Sequence, residues 1–516
     1  MLAVLAAVPF SLAQTSSAPA APRFEIRRFI IEGNSLLPQS EIDRLVAPHV
    51  GPGKDFGSVQ QALEALQEAY ISRGFTAVRV LVPEQEMRAG EVRLQVVEAR
   101  IGRVVVEGNR FFDAANVRSS LPAVQAGAIP NTAELGQQIQ LANENPAKQI
   151  SIALEAADDP GKVDAIVRVT DEKPWRATLS FDNTGNSATG HYRVGAGFQH
   201  ANVANSDHIL TAQYITSPDH ISDVSIAGLG YRIPVYRWKG VFDAIAGYSN
   251  VNSGTVQDLF TVSGSGSVYG LRYTQLLRNI GTYEQRVAAG LDYRDIRNNV
   301  RLVGLGTPLL PDITVKPLSL TYTGRRSQPG QDLSFFASYF QNLPGGTEGN
   351  QDAFNAQRAG AKARFQYYRY GGAYTTAFGD GFLARAAVNG QYTRDLLVAS
   401  EQFGMGGADS VRGFFEREVA NDVGHRASFE IYSPDFGAYV GGSWRARGLV
   451  FFDAARGYDR SPARGPDNGL AAVGLGLRMN EGKRITVRVD WAHVTDAAGT
   501  RPSGKDRVHL LLGYSF

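Results

Sequence analysis

Residues Val508–Phe516 read VHLLLGYSF, and every second position, Val508, Leu510, Leu512, Tyr514 and Phe516, is apolar or aromatic. A period of two is that of a β-strand with one face in an apolar medium. The same period recurs upstream. Tyr192, Val194, Ala196 and Phe198 alternate with Arg193, Gly195, Gly197 and Gln199, and Val287, Ala289, Leu291 and Tyr293 alternate with Ala288, Gly290, Asp292 and Arg294. Ile485, Val487, Val489 and Trp491 do so against Thr486, Arg488, Asp490 and Ala492. At least eight such segments, parted by Gly, Asn, Asp and Pro clusters, fill the stretch from Trp175 to Phe516, where helical periodicity is absent.

A soluble sandwich alternates too, so other features decide which face meets water. From Trp175 to Phe516 there are 342 residues, long for one sandwich. Strands of roughly ten residues with connections of similar length divide it into about sixteen. The polar faces carry Gly, Ser, Thr and Gln with single charges of both signs, as a water-filled lumen requires. VHLLLGYSF has the form of the last strand of an outer-membrane barrel, with Tyr514 and Phe516 as its terminal signal. The expected fold over residues 175–516 is a transmembrane β-barrel of about sixteen antiparallel strands.

The rest of the composition narrows the function. Lys and Arg number 52 against 50 Asp and Glu, a net charge of +2, so no basic field attracts nucleic acid. The absence of cysteine excludes disulfides, thiol catalysis and Cys-ligated zinc. Mean hydropathy is −0.19, and beyond the first dozen residues no run is long and apolar enough for a membrane helix. Leu2–Leu12 (LAVLAAVPFSL) closes on Ser11-Leu12-Ala13, a signal peptide over residues 1–13 whose cleavage leaves Gln14 first and residues 14–23 as a short linker. Export places the chain in a bacterial envelope. No basic region precedes the apolar run, as expected if the start codon lies upstream or the amino end is trimmed. Nucleophile elbows, Walker loops and H-E-x-x-H are missing, and the eight histidines show no ligand-like pairing. No enzyme activity, cofactor or metal is expected.

An internal repeat occupies the first third. Arg28–Leu37 reads RFIIEGNSLL and Arg103–Phe112 reads RVVVEGNRFF, 75 residues apart. Each is a strand closed by Gly-Asn, a turn pair able to take positive φ. Leu63, Leu66 and Tyr70 then mark a helix face ending at Gly74, followed by strands at Ala77–Pro83 and Glu91–Glu98. Two β-α-α-β-β modules are predicted, over 24–99 and 100–172, with Lys173-Pro174 as the linker.

These segments resemble the two-partner secretion transporters of the haemolysin-activator and filamentous-haemagglutinin-transporter type, in the superfamily that includes the assembly factor BamA. YISRGFTAVRVLVPEQEMRAGEVRLQVVEA (Tyr70–Ala99) is similar to the family's first POTRA signature, with Tyr70, Gly74, Phe75, Pro83, Gln85 and Gly90. FDNTGNSATGHYR (Phe181–Arg193) resembles its first barrel hairpin. In FGMGGADSVRGFFEREVANDVGHRASFEIYSP (Phe403–Pro434), Val411-Arg412-Gly413-Phe414 matches the motif at the tip of the sixth extracellular loop.

The resemblance implies that this loop, around residues 400–428, re-enters the lumen. Its Arg412 would pair with the aspartate of a strand motif F-x-D-x-G, here Phe451 and Asp453 with Ala455 in the glycine's place. Lumen water should screen that pair to about 1 kcal/mol. Many relatives carry a plug helix before the first POTRA module, and Gln14–Arg23 is too short for one. The implied function is an outer-membrane pore that recognises a large partner exoprotein of β-helical form in the periplasm and secretes it unfolded to the surface. Outer-membrane lipid surrounds the barrel in this reading, and the POTRA modules lie in the periplasm. Two modules favour secretion over assembly factors, whose pattern has more. An assembly factor, a diffusion porin and a displayed adhesin stay as alternatives.

Overall fold

The computed structural model describes residues 22–86, 89–186, 189–222, 224–251, 255–256, 260–261, 265–297, 311–461, 467–498 and 502–516. The expected signal peptide, most of the linker after it, and Ser187 and Ala188 of the first hairpin motif lie outside them. The chain divides into two compact units. One runs to Val105 and takes in Ala123–Leu135 and Ala153–Ile166; the other comprises Val106–Pro122, Gly136–Ile152 and Val167–Phe516.

In the first module, strand Arg28–Glu32 lies parallel to Glu91–Glu98, which pairs antiparallel with Val78–Leu81. Helix Phe56–Ser72 covers the sheet with Val59, Ala62, Leu66 and Tyr70. It starts at Asp55, whose carboxylate accepts the Ser58 N–H at 2.9 Å, a side-chain N-cap. The second module repeats this plan with helix Thr132–Ala142 and a sheet in the order Arg100–Glu107, Lys162–Asp171, Lys148–Ala156.

The shared EGN turns are explained by their glycines. Gly33 and Gly108 have φ of +83° and +80°, and a Cβ on either would run into the carbonyl oxygen of Val96 or Val169. The next backbone N–H groups are received by a carboxylate at the end of each module's last strand. Glu98 accepts from Ser35 at 2.7 Å, and Asp171 from Phe111 at 2.8 Å.

The barrel is closed and antiparallel with sixteen strands, counting Ile313–Val315 and Pro317–Gln328 as one interrupted at Lys316. Alternate residues face outward, among them Leu229, Leu271, Leu320, Phe429 and Leu475, all exposed. The last strand, Asp506–Ser515, closes on the first, Trp175–Asp182, through a register from Leu511↔Asp182 to Ser515↔Thr178. Asn183 lengthens that seam, its amide donating to Val508 O at 2.7 Å and accepting from Leu510 N at 2.9 Å.

Contrary to expectation, the barrel half is not free of helix. Gln351–Gln357 is helical, capped by Asn350, which accepts the Ala353 N–H at 2.9 Å. Seven residues make barely two turns, too few to leave a readable period.

Candidate functional site

Residues 394–422 connect strand Phe382–Thr393 to strand Val423–Tyr432, and this loop packs inside the barrel. A short hairpin, Phe403–Met405 with Val419–Asn421, gives it form. Met405, Val411 and Phe414 are fully buried, against Phe451, Leu470, Ala472, Ala492 and Val494 of the wall. Ala455, where the motif has glycine, sits in the same apolar cluster. Burying three such side chains stabilises the seated loop by about 1.5–3 kcal/mol each.

Gly413 lets the chain turn there. Its φ is +98°, and a Cβ would lie 3.1 Å from Val494 Cγ2 and 3.4 Å from Ala492 Cβ. The Gly413 N–H donates to His509 Nε2 at 2.9 Å, which makes the ring neutral with its proton on Nδ1.

This turn aims Arg412 at the wall. Arg412 Nε donates to Asp453 Oδ2 at 2.6 Å and Nη2 to Asp453 Oδ1 at 2.8 Å, a two-point contact. Nη1 lies 2.9 Å from Glu430 and 3.5 Å from Asp490. The guanidinium carbon stands 3.4 Å from the Phe451 ring centre, a cation–π contact that gives the motif's phenylalanine a role. Val450 and Phe452, the neighbours of Asp453 in alternate positions around Phe451, are exposed on the outer face.

Three further arginines balance the three carboxylates and Asp409 of the loop. Arg385 lies 3.2 Å from Glu430, Arg478 2.7 Å from Asp490, and Arg488 2.5 Å from Asp409. The cluster is thus four guanidinium groups with four carboxylates. Arg412 is 3 % exposed and Asp453 0 %, which corrects the expectation of a pair screened by lumen water.

The loop's base is fastened separately. Asp422 pairs with Arg358, just beyond helix Gln351–Gln357, at 2.6 Å, and Glu401 pairs with Arg294 at 2.9 Å. A cavity of about 480 Å³ borders the loop, with Arg369, Arg417 and Arg426 among its lining residues.

The other singled-out residues belong to the first module and the barrel's end. Tyr70 is fully buried and donates to Asn34 Oδ1 at 2.6 Å; burial, with Glu98 nearby, pushes its hydroxyl up to about 12, so it remains a donor. The Gly74 carbonyl accepts Thr132 N at 2.8 Å, and that of Gly90 accepts Arg27 N at 2.7 Å. Phe75 packs on the module's core, and Gln85, two residues after Pro83, bonds both backbone groups of Arg93. Tyr514 and Phe516 meet edge to face, 4.7 Å between centres.

Sequence reasoning missed Glu430, Asp490 and His509. Each is the polar member of an alternating strand, and only the register between strands shows that they converge on Arg412. It also missed a buried cluster between the second module and the barrel's turns. Lys148 Nζ lies 2.5 Å from Asp207, donates to Asn116 Oδ1 at 3.0 Å, and Asp207 accepts the Tyr236 hydroxyl at 2.6 Å. Close by, Glu144 lies 2.5 Å from Arg286 and 3.3 Å from Arg232.

Residues 161–479 match the family described as haemolysin secretion/activation protein ShlB/FhaC/HecB, and residues 24–99 match the ShlB-type POTRA domain. The chain is 23% identical to the outer membrane transporter CdiB of Dickeya dadantii over 420 residues, 78% of this chain and 71% of that one. It is 21% identical to the heme/hemopexin transporter protein HuxB of Haemophilus influenzae over 468 residues, 88% of this chain and 80% of that one. The solved structure of CdiB from Escherichia coli superposes with a TM-score of 0.80 at 18% identity, covering 99% of this chain and 93% of that one. With more than half its length matched, this chain belongs to the ShlB/FhaC/HecB family of outer-membrane transporters, its barrel in the outer membrane and its POTRA modules in the periplasm.

Proposed function

We propose that the chain secretes a large partner protein, capturing it in the periplasm and passing it unfolded through the barrel to the cell surface. The observation that carries this reading is the loop bearing Arg412, seated in the lumen by a self-contained polar cluster that can be released without opening the wall. Transport is a conformational act here: the loop shifts and a hydrated path opens. Lipid contacts the outward band of Leu, Phe and Tyr. Folding outside the cell supplies the direction, because burying apolar surface there makes retreat unfavourable.

Capture is by strand addition to a module's sheet. Two edges compete in the first module. Val78–Leu81 is already covered, since the Gln67 amide donates to Val78 O at 2.8 Å and accepts from Val80 N at 2.9 Å. Arg28–Glu32 pairs on one side only and is the docking edge of this proposal. An extended segment of a β-helical exoprotein has the geometry to fill it.

The test is to separate the parts. Phe24–Glu172 made alone should bind the amino-terminal region of the partner with modest affinity, and Trp175–Phe516 alone should assemble yet secrete poorly. Secretion by the barrel alone at the level of the whole chain would overturn the role given to the modules.

A further inference from the structure

The charge on the barrel's strands is uneven in a way the chain's overall balance hides. Among the described strand residues there are 18 arginines, no lysine and 12 carboxylates, whereas the whole chain carries only +2. The re-entrant segment 394–422 is opposite in sign, with six carboxylates and three arginines.

Several of the carboxylates that meet wall arginines come from parts outside the wall. Asp409 and Glu401 of the loop sit on Arg488 and Arg294, and Glu144 of the second module sits on Arg286 and Arg232. Other wall arginines are left over. Arg272, Arg369 and Arg426 make no ion pair within 4 Å among the described residues, and Asp409, Glu416 and Asp453 act on Arg426 only from farther off. Each faces inward. Arg272 lies opposite Gly290, on the face that presents Asp292 and Arg294; Arg369 lies opposite Gln391, which bonds the loop backbone; Arg426 shares its face with Ser428 and Glu430.

We infer that this wall is an arginine track for an acidic stretch of the exported polypeptide, its resting counter-charges lent by the loop and the second module. The inference rests on the secretion reading above and adds what the pore selects. Arginine suits the task better than lysine. Its guanidinium is weakly hydrated and binds a carboxylate by two points, so one carboxylate can replace another with little desolvation at each exchange. When the loop moves, Arg488 loses Asp409 and Arg294 loses Glu401 together, each keeping one wall carboxylate, Asp490 at 3.3 Å and Asp292 at 2.7 Å, and a passing chain with spaced Asp or Glu replaces the lost contacts. A lysine-rich segment meets the same surplus as repulsion.

The full chain in planar bilayers, under a KCl gradient, tests this. The reversal potential should show chloride favoured over potassium by about twofold or more, because a low-dielectric wall focuses the field of its charges. Replacing Arg232, Arg272 and Arg286 together by Gln should bring that ratio towards one, with a heat-shifted band in gels reporting that the barrel assembled. A synthetic 20-residue Glu/Gly/Ser peptide added on the periplasmic side should reduce the current at a concentration about tenfold lower than its Gln counterpart, with the difference fading as salt rises. A potassium preference, equal block by the Gln peptide, or stronger block by a Lys peptide overturns the track. These wild-type readings decide even where the triple variant fails to assemble. Absence of any conductance would instead overturn the pore reading beneath it.

Discussion

Arg412 of the re-entrant loop and Asp453 of the barrel wall meet by two hydrogen bonds, at 2.6 and 2.8 Å, in a place where neither side chain reaches solvent. Burial sets the worth of that contact. An exposed pair is worth about 0–1 kcal/mol, whereas removing one member of a buried pair costs about 3–5 kcal/mol because the other charge is stranded. The penalty falls on the loop rather than on the barrel, whose strands keep their ladder without it.

Arg412→Ala should therefore shift the loop away from its seat by more than a hundredfold, at about 1.4 kcal/mol per tenfold, and Asp453→Ala by less, because Arg412 keeps Glu430 and Asp490 at 2.9 and 3.5 Å. Secretion should fall while the amount of heat-modifiable barrel in the outer membrane stays near normal. The charge swap, Arg412→Asp with Asp453→Arg, should not rescue. The new carboxylate would face Glu430 and Asp490, which lie 2.9 and 3.5 Å from the native guanidinium. Full secretion by both single variants, or recovery by the swap, would show that the pair acts alone and weakly.

Gly413→Ala should loosen the same loop by a different route. The residue must hold φ near +98° with a methyl 3.1 Å from Val494, at a cost of about 1–3 kcal/mol. Gly448→Ala is the control, since a Cβ there meets nothing closer than 3.9 Å. Limited proteolysis of intact cells should cut the loop of the first variant faster than that of the second. Equal cutting would mean that the loop tolerates a side chain at its tip.

The barrel was legible because period two is written into each strand locally: Ile485–Trp491 shows its outer face in seven letters. The modules were legible because EGN recurs with the same job, a positive-φ glycine under a carbonyl. What escaped depends on register. Glu430 and Asp490 reach Arg412 from strands far apart in sequence, and nothing local distinguishes them from any other inward charge. Helix Gln351–Gln357 escaped for want of length, although Asn350 ahead of it was a visible cap. The burial of Arg412 escaped because it depends on Val411, Phe414 and five wall residues assembled only in the fold.

Lys148 and Asp207 are 0 % and 1 % exposed and join the second module to the turn between the second and third barrel strands. Asp207→Ala should cost about 3–5 kcal/mol by leaving the ammonium buried without its partner. Lys148→Met combined with Asp207→Leu should cost less, for it removes both charges and leaves the Tyr236 hydroxyl without its acceptor and Asn116 Oδ1 without the Lys148 donor. Hydrogen exchange of Lys148–Ala156 in the full chain reads the difference. Equal protection in the single and double variants would refute a charge-based lock.

The fragment Phe24–Glu172 should lose stability in acid, with its carboxylates as the cause. The backbone N–H of Ser58 holds Asp55 below the usual aspartate range, and the Arg103 side chain, 2.6 Å away, does the same for Asp164. A carboxyl whose folded value is depressed binds fewer protons folded than unfolded. Its contribution is complete above the unfolded value near 3.9 and is lost as pH falls through the folded one, a window of about pH 5 to pH 2. Arg103→Gln removes the main cause acting on Asp164 and should flatten this fall while lowering stability at pH 7. Asp55→Asn should behave differently, since asparagine caps a helix about as well as aspartate does without being titratable. It should leave the melt at pH 7 nearly in place and still remove its share of the acid dependence. Melting temperatures from pH 2 to pH 7 for the three proteins decide the matter. An acid limb of unchanged slope in both variants would place its origin in carboxylates other than these two.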